Sequence, residues 1–180
     1  MSKAFTREDD GNEAEALPPY VPPWPAGARN YMSSACHARL RAEHEAIVSA
    51  LPALSSAVRD VSPVEAPTAN ANLRKAQRRL QQLDVHLAVA EVVPAVAAPT
   101  RVQLGVTVTI RGDRETVYTI VGVDEVDVAN GRISWLSPLA RALIGARVGD
   151  SLTFRTRKGE EALEVVAISG PLATCGEPVR

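Results

Sequence analysis

The chain has 180 residues, 46% of them apolar, and its formal net charge is −1 at pH 7. That length suits one large domain or two small ones, and the near-neutral charge argues against a protein that grips nucleic acid through its overall charge. No apolar run is long enough for a signal peptide or a membrane span, so we expect a cytoplasmic protein that does not contact a membrane.

The first 29 residues combine an acidic run with five prolines between Pro18 and Pro25. This composition buries too little apolar surface to offset the entropy lost on ordering. The sequence therefore predicts a flexible arm over 1–29, in which Tyr20 and Trp24 rest loosely on the body of the protein.

Two helices should follow over 30–93. Ser33 or Ser34 can cap the first helix, and Pro52 should kink it or weaken it locally. Thr68 is a plausible cap for the second helix. The apolar positions recur at helical spacing along Leu40, Ile47, Leu51, Leu54 and Val58, and then along Leu73, Ala76, Leu80, Leu83, Leu87 and Ala90. Two such stripes joined by a short loop predict an antiparallel coiled-coil hairpin.

After an Ala/Val/Pro linker over 94–100, the apolar period changes to two, which predicts a small antiparallel sheet with one helix over 101–170. A short tail, 171–180, should be loose. The fold class is therefore α+β. The expected strands are Val102–Ile110, Thr116–Val123, Ile133–Leu136, Ser151–Thr156 and Ala162–Ser169, and the expected helix is Pro138–Ile144.

The run from Gly131 to Gly145, followed by Val148-Gly149-Asp150, is the most informative part of the sequence. Helix-start chemistry explains Ser137 as a cap and Pro138 as the first helical residue, but not the remainder. The run resembles the C-terminal domain of bacterial Gre-type (GreA/GreB) transcription elongation factors, with its I-S-x-x-S-P-x-A-R-A-L signature before V-G-D. The resemblance implies an FKBP-like fold for this domain.

The resemblance also implies a partner, bacterial RNA polymerase, and docking on the rim of its secondary channel. We expect a monomer without a cofactor of its own, and a regulator of elongation rather than an enzyme. The candidate polymerase-binding residues are Ile133, Ser134, Trp135, Ser137, Pro138 and Arg141.

The hairpin tip of Gre-type factors resembles D-x-x-E-N-A, and its two carboxylates help to hold a second magnesium ion in the polymerase active site. In this chain the acidic pair falls on Ala66 and Ala69. Alanine cannot bind a metal, so we expect no efficient stimulation of transcript cleavage. The alternative is an ordinary cleavage-stimulating factor that uses Glu65 or Asp60 instead.

Other charged groups allow two interpretations each. Arg74, Lys75, Arg78 and Arg79 form either a solvated face or a basic patch that guides the coil or touches transcript RNA. The acidic segment that contains Asp124, Glu125 and Asp127 should be a solvated loop or a docking contact. Cysteine and histidine offer no four-ligand set, so no metal site is expected.

Two readings from other classes stay open. One is a nucleoside diphosphate kinase regulator-like protein with a short coil and a similar C-terminal domain. The other is an FKBP-like prolyl isomerase, which would need an aromatic-lined pocket, and the domain offers only Tyr118, Trp135 and Phe154 for it.

Overall fold

The structure is a computed structural model that describes residues 17–156 and 159–170. None of the helices in these ranges is long and apolar enough to cross a membrane. Two 3-10 turns, Val123–Glu125 and Val128–Asn130, precede the short strand Arg132–Ser134. The elements are β1 (Asn30–Met32), α1 (Ser34–Asp60), α2 (Ala66–Ala88), β2 (Ala90–Val92), β3 (Thr107–Arg111), β4 (Glu115–Val121), β5 (Arg132–Ser134), α3 (Pro138–Leu143), β6 (Ser151–Thr156) and β7 (Gly159–Ser169).

Helix α1 begins as the sequence predicts, because the Ser33 hydroxyl accepts a hydrogen bond from the Cys36 amide at 3.1 Å. It then continues as one helix through Pro52 to Asp60, so Pro52 does not end it, and the predicted kink or local weakening stays a prediction. Pro52 is exposed, and the carbonyl that loses its amide partner lies at Val48, which is exposed too. Water can therefore satisfy that carbonyl, and one missing bond is tolerated within a long helix.

Helix α2 begins two residues before the predicted cap. Glu65 occupies the capping position, and its backbone carbonyl accepts the amides of Thr68 and Ala69, each at 3.1 Å. Pro67 lies in the first turn, where its missing amide costs nothing. Thr68 is therefore already inside the helix.

The base of the hairpin is closed by a parallel pairing of β1 with β2, which the sequence analysis did not anticipate. Beside it, Met32, Cys36, Leu40 and Leu83 form a small core in which every side chain is at most 1% exposed. Burial, followed by the nearby charge of Glu125, raises the pKa of the Cys36 thiol to about 11. The hairpin is thus most tightly packed at the end that joins the C-terminal domain.

The C-terminal sheet has the strand order β5-β4-β3-β7-β6, with α3 packed against its core, which confirms the α+β class. The pairs are antiparallel except β4–β5, which is parallel, so the expected antiparallel sheet differs in that pair. The predicted first strand begins only at Thr107. Val102 and Val106 are buried but lie in an irregular segment, where the Val102 amide donates to the Ala146 carbonyl at 2.8 Å.

Candidate functional site

The candidate docking loop, residues 131–143, contains β5, α3 and the connection between them, and two serine hydroxyls hold that connection in place. The Ser134 hydroxyl accepts from the Leu136 amide, and the Ser137 hydroxyl accepts from the Ala140 amide, both at 3.1 Å. The Ser137 amide also donates to the Ser134 carbonyl at 2.9 Å. These bonds fix the shape of the loop before any partner arrives, so both hydroxyls have a structural role in the free protein.

The six candidate docking residues are close together, but they are not equally available. Pro138 and Arg141 are exposed on α3. Ile133 and Trp135 pack partly against the core of the C-terminal domain. The Trp135 ring also meets Tyr31 edge-on, with centroids 5.4 Å apart. Much of the Trp135 ring therefore ties the loop to the hairpin base instead of facing solvent.

Two exposed apolar side chains beside α3 were not among the candidates. Ile144 is 42% exposed and Val148 is 59% exposed, and they flank the end of α3 that carries Arg141. Large apolar residues directly after an exposed helix are a signal that could have identified them. Together with Pro138 they extend the apolar part of the candidate docking surface.

The Val-Gly-Asp part of the signature has a structural explanation. The Asp150 carboxylate accepts the Arg147 amide at 2.8 Å, and the Asp150 carbonyl accepts the Val165 amide at 2.9 Å. The turn therefore ties the start of β6 to β7, and we assign it to the fold and not to partner binding.

At the hairpin tip, Ala66 and Ala69 are half-buried in the first turn of α2. The nearby acids are separate: Asp60 ends α1, whereas exposed Glu65 accepts a hydrogen bond from the Ser62 hydroxyl at 2.9 Å. Val64, between them, is 88% exposed. Among the described residues, no three His, Cys, Asp or Glu side chains are grouped so that they could hold a metal ion.

The predicted basic patch loses one of its four members. Arg79 makes a two-pronged contact across the hairpin to the Glu43 carboxylate, at 2.7 and 2.8 Å. The hydrogen bond from Arg79 outweighs burial and lowers the pKa of the Glu43 carboxyl. Arg74, Lys75 and Arg78 are exposed, and none has an ion-pair partner within the described residues. Only these three can serve as a basic patch.

Asp124 and Glu125 lie in neither a solvated loop nor a free docking contact, which corrects the sequence interpretation for these two acids, whereas Asp127 accepts the Asn130 amide at 3.3 Å in the adjoining turn. Asp124 contacts His86 of α2 at 2.7 Å, and Glu125 accepts the Ser33 amide at 3.0 Å. Gly122 allows this approach, since a Cβ there would lie 2.0 Å from the Tyr31 carbonyl oxygen. The segment is the joint between the hairpin and the C-terminal domain.

The Tyr20 and Trp24 side chains also contradict the expectation of a loose arm. Trp24 is 7% exposed and meets the His86 ring edge-on at 4.7 Å between centroids, and the Tyr20 hydroxyl lies 2.7 Å from His86 Nε2. Residues 17–29 thus cover the joint. The remainder of the predicted arm, 1–16, and the predicted tail, 171–180, lie outside the described residues.

Of the three aromatics considered for an isomerase pocket, Tyr118 and Phe154 share an open cavity of about 310 Å³. Asp113, Arg114 and Glu161 line the same cavity, so its rim is charged. Trp135 is not part of its lining. An enclosed aromatic pocket is therefore not formed around these three residues.

Comparisons with known proteins match the part of the chain that contains the candidate docking loop. Residues 97–170 match the family model for the C-terminal domain of the transcription elongation factors GreA/GreB. The chain is 44% identical over 100 residues to the elongation factor GreB of Neisseria meningitidis, covering 53% of this chain and 61% of that protein. It is 41% identical over 93 residues to GreA of Cereibacter sphaeroides, covering 50% of this chain and 60% of that protein.

The match thus spans about three-fifths of the length of these relatives. Among solved structures, the GreA factor homolog 1 of Thermus thermophilus aligns with 79% of this chain and 100% of its own, at 24% identity and a TM-score of 0.38. An overlap that weak carries no argument about function. The sequence matches carry more weight: residues 97–170 match the GreA/GreB C-terminal domain, and about half of the chain is similar to GreA and GreB proteins.

Proposed function

We propose that this chain binds bacterial RNA polymerase through the docking loop and regulates transcription elongation by occupying the secondary channel. In this proposal the chain is not an enzyme and does not efficiently stimulate transcript cleavage. The observation that carries the second part is the tip, where Ala66 and Ala69 stand in place of the acidic pair. Two-metal hydrolysis depends on carboxylate oxygens that recruit the second ion, and methyl groups cannot do so.

The first part of the proposal is supported by the preformed docking loop. Ser134 and Ser137 hold the loop in one conformation, so little ordering entropy is lost on binding. Pro138 and Arg141 present an apolar group and a charged group on the same short helix. The charge of Arg141 can add specificity and a faster association to an apolar contact.

The exposed cations support a role for the second helix of the hairpin. Arg74, Lys75 and Arg78 lie on its outer surface, where they would meet an acidic channel wall or the phosphates of transcript RNA. Each such contact releases counterions, so binding should weaken steeply as salt is raised. The contact is local, because the net charge of the whole chain is only −1.

A cleavage assay on backtracked polymerase complexes tests the proposal. The chain should bind, should compete with a cleavage-competent Gre factor, and should leave the transcript intact. The double variant Ala66→Asp, Ala69→Glu should gain metal-dependent cleavage, while the uncharged matched pair Ala66→Asn, Ala69→Gln should not. Robust cleavage by the unmodified chain would overturn the proposal.

The alternative, cleavage through Glu65 or Asp60, is decided in the same assay. If the unmodified chain does stimulate cleavage, Glu65→Ala and Asp60→Ala identify which carboxylate is used. Glu65 is the nearer candidate to the start of α2, although the Ser62 hydroxyl already occupies one of its oxygens. A single carboxylate would recruit the ion less strongly than two.

A further inference from the structure

Three segments that are far apart in the sequence meet around one buried histidine. His86 lies near the end of α2, and only 4% of its side chain is exposed. Asp124 reaches it from the C-terminal domain, and Tyr20 and Trp24 reach it from the N-terminal side. We call residues 17–24 the strap. The strap is the only one of the three segments that could leave without unfolding a helix or a strand.

The contacts form a continuous hydrogen-bonded chain across the joint. The imidazole nitrogen Nδ1 of His86 donates to the Asp124 carboxylate at 2.7 Å, because an ionised carboxylate can only accept. The other nitrogen, Nε2, lies 2.7 Å from the Tyr20 hydroxyl. The Asn30 amide donates both to the second Asp124 oxygen at 2.8 Å and to the His86 carbonyl at 3.2 Å.

Trp24 closes this chain off from water. Its ring is 7% exposed and stands edge-on to the imidazole. Hydrogen bonds in such a shielded site are stronger and better aligned than those that compete with solvent. Without the two strap aromatics, water would reach Nε2 of His86 and compete for the bond to Asp124.

That bond matters for geometry, because it is one of few ties between α2 and the C-terminal domain. The other ties run from β1 and the start of α1: Asn30 to Asp124, Tyr31 to Trp135, Ser33 to Glu125, and Arg39 to the Asp124 carbonyl at 3.1 Å. Ties on the α1 side alone leave the hairpin free to pivot about that side. The tie at α2 supplies a separate point that restricts this pivot.

We propose that the strap is a positioning device that locks the angle between the hairpin and the C-terminal domain. Tyr20 completes the hydrogen-bonded chain through His86, and Trp24 excludes water from it. Loss of the strap should leave both parts folded but broaden the range of angles between them. The proposal concerns the free protein and does not depend on what the hairpin does at a polymerase.

The test is a distance measurement between two spin labels by pulsed electron paramagnetic resonance. The labels replace Asn72 near the tip and Arg114 in the β3–β4 turn, both exposed, in a Cys36→Ala, Cys175→Ser background. With the native strap the distance distribution should be narrow. The double variant Tyr20→Phe, Trp24→Ala should at least double its width. Val21→Ala, on an 81% exposed strap residue, is the matched control and should change nothing.

Tyr20→Phe alone removes a hydroxyl and keeps the ring, so it covers the case in which the double variant fails to fold. It should broaden the distribution by a smaller amount. In an Asp124→Asn background the hydrogen-bonded series through His86 is already broken, so the same change should add little further width to the distribution. Equal widths for the native strap and for every folded strap variant would overturn the proposal.

Discussion

The carboxylate of Glu125 accepts hydrogen bonds from both the backbone amide and the hydroxyl of Ser33, 92 positions earlier in the chain. Ser33 is the cap of α1, so an acid of the C-terminal domain lies at the positive end of the first hairpin helix. Both the direct bonds and the helix dipole favour a negative charge there. The helix start and the interdomain joint are therefore the same structural element.

Replacing Glu125 by Ala should destabilise the protein by about 2–4 kcal/mol, because it removes the carboxylate that accepts the Ser33 amide and pairs with Arg132. Only 4% of the Glu125 side chain is exposed. Urea unfolding measures the change. Glu115→Ala, which breaks an exposed pair with Arg111, is the control and should cost far less stability. Equal losses in the two variants would contradict this assignment.

Acid should weaken the joint through Asp124. Burial raises the pKa of this carboxyl, but hydrogen bonds from His86 and Asn30 outweigh burial, and its pKa lies below the usual 3.8. A carboxyl whose pKa is lower in the folded protein than in the unfolded protein stabilises the fold at any pH above its unfolded pKa. This stabilisation is lost as the pH falls through the folded pKa.

The native chain should therefore have a larger free energy of unfolding than Asp124→Asn, and this difference should be largest near neutral pH. The difference should shrink below about pH 4. Urea titrations of both proteins at a series of pH values check this, and other acids such as Glu43 cancel because both proteins contain them. A difference that grows on acidification would mean that Asp124 is not held ionised.

The Ser137 hydroxyl should matter for docking through the start of α3. Ser137→Ala removes the cap and should cost about 1 kcal/mol of stability. Ser137→Asn keeps a capping oxygen and should retain both stability and polymerase binding. Thermal unfolding and a polymerase binding titration separate the two effects. A stable Ser137→Asn variant that fails to bind would instead place the hydroxyl in direct contact with the partner.

Two neighbouring arginines of α2 should behave differently. Arg79→Ala breaks the contact with Glu43 and should lower hairpin stability by about 1 kcal/mol, whereas Arg78→Ala, on an exposed residue, should change it by less than about 0.5 kcal/mol. The swap Glu43→Arg, Arg79→Glu should recover part of the loss. The helical circular dichroism signal on heating measures the stability of all three variants. Equal losses for Arg79→Ala and Arg78→Ala would mean that the contact with Glu43 contributes nothing and that Arg79 belongs with the exposed cations.

The predictions that succeeded rest on local chemistry. Ser33 and Ser137 cap helices because each serine hydroxyl accepts a hydrogen bond from the backbone amide three residues later, at the start of an apolar periodic run. The hairpin follows from stripes of Leu and Ala at helical spacing, and the sheet from alternation at Val108 and Ile110. The start of α2 was missed by three residues because Glu65, at the capping position, makes no side-chain capping bond that the sequence could signal.

The joint was missed because its members are far apart in the chain. Asn30, His86 and Asp124 are polar residues that composition places at the surface, and nothing local indicates that they meet. One signal was present: His86 falls beside Leu83 and Leu87 on the apolar stripe of α2. A histidine in such a stripe needs a buried partner. On the facing helix, His44 contacts Asp84 at 2.8 Å.

Cys36 offers a way to watch the hairpin base open. Alkylating reagents attack the thiolate, and a pKa of about 11 leaves almost none of it at neutral pH while the side chain is fully buried. Labelling of this one sulfur should therefore proceed only in molecules whose base has transiently separated. The labelling rate, compared with that of a free thiol, would report how often the hairpin base opens.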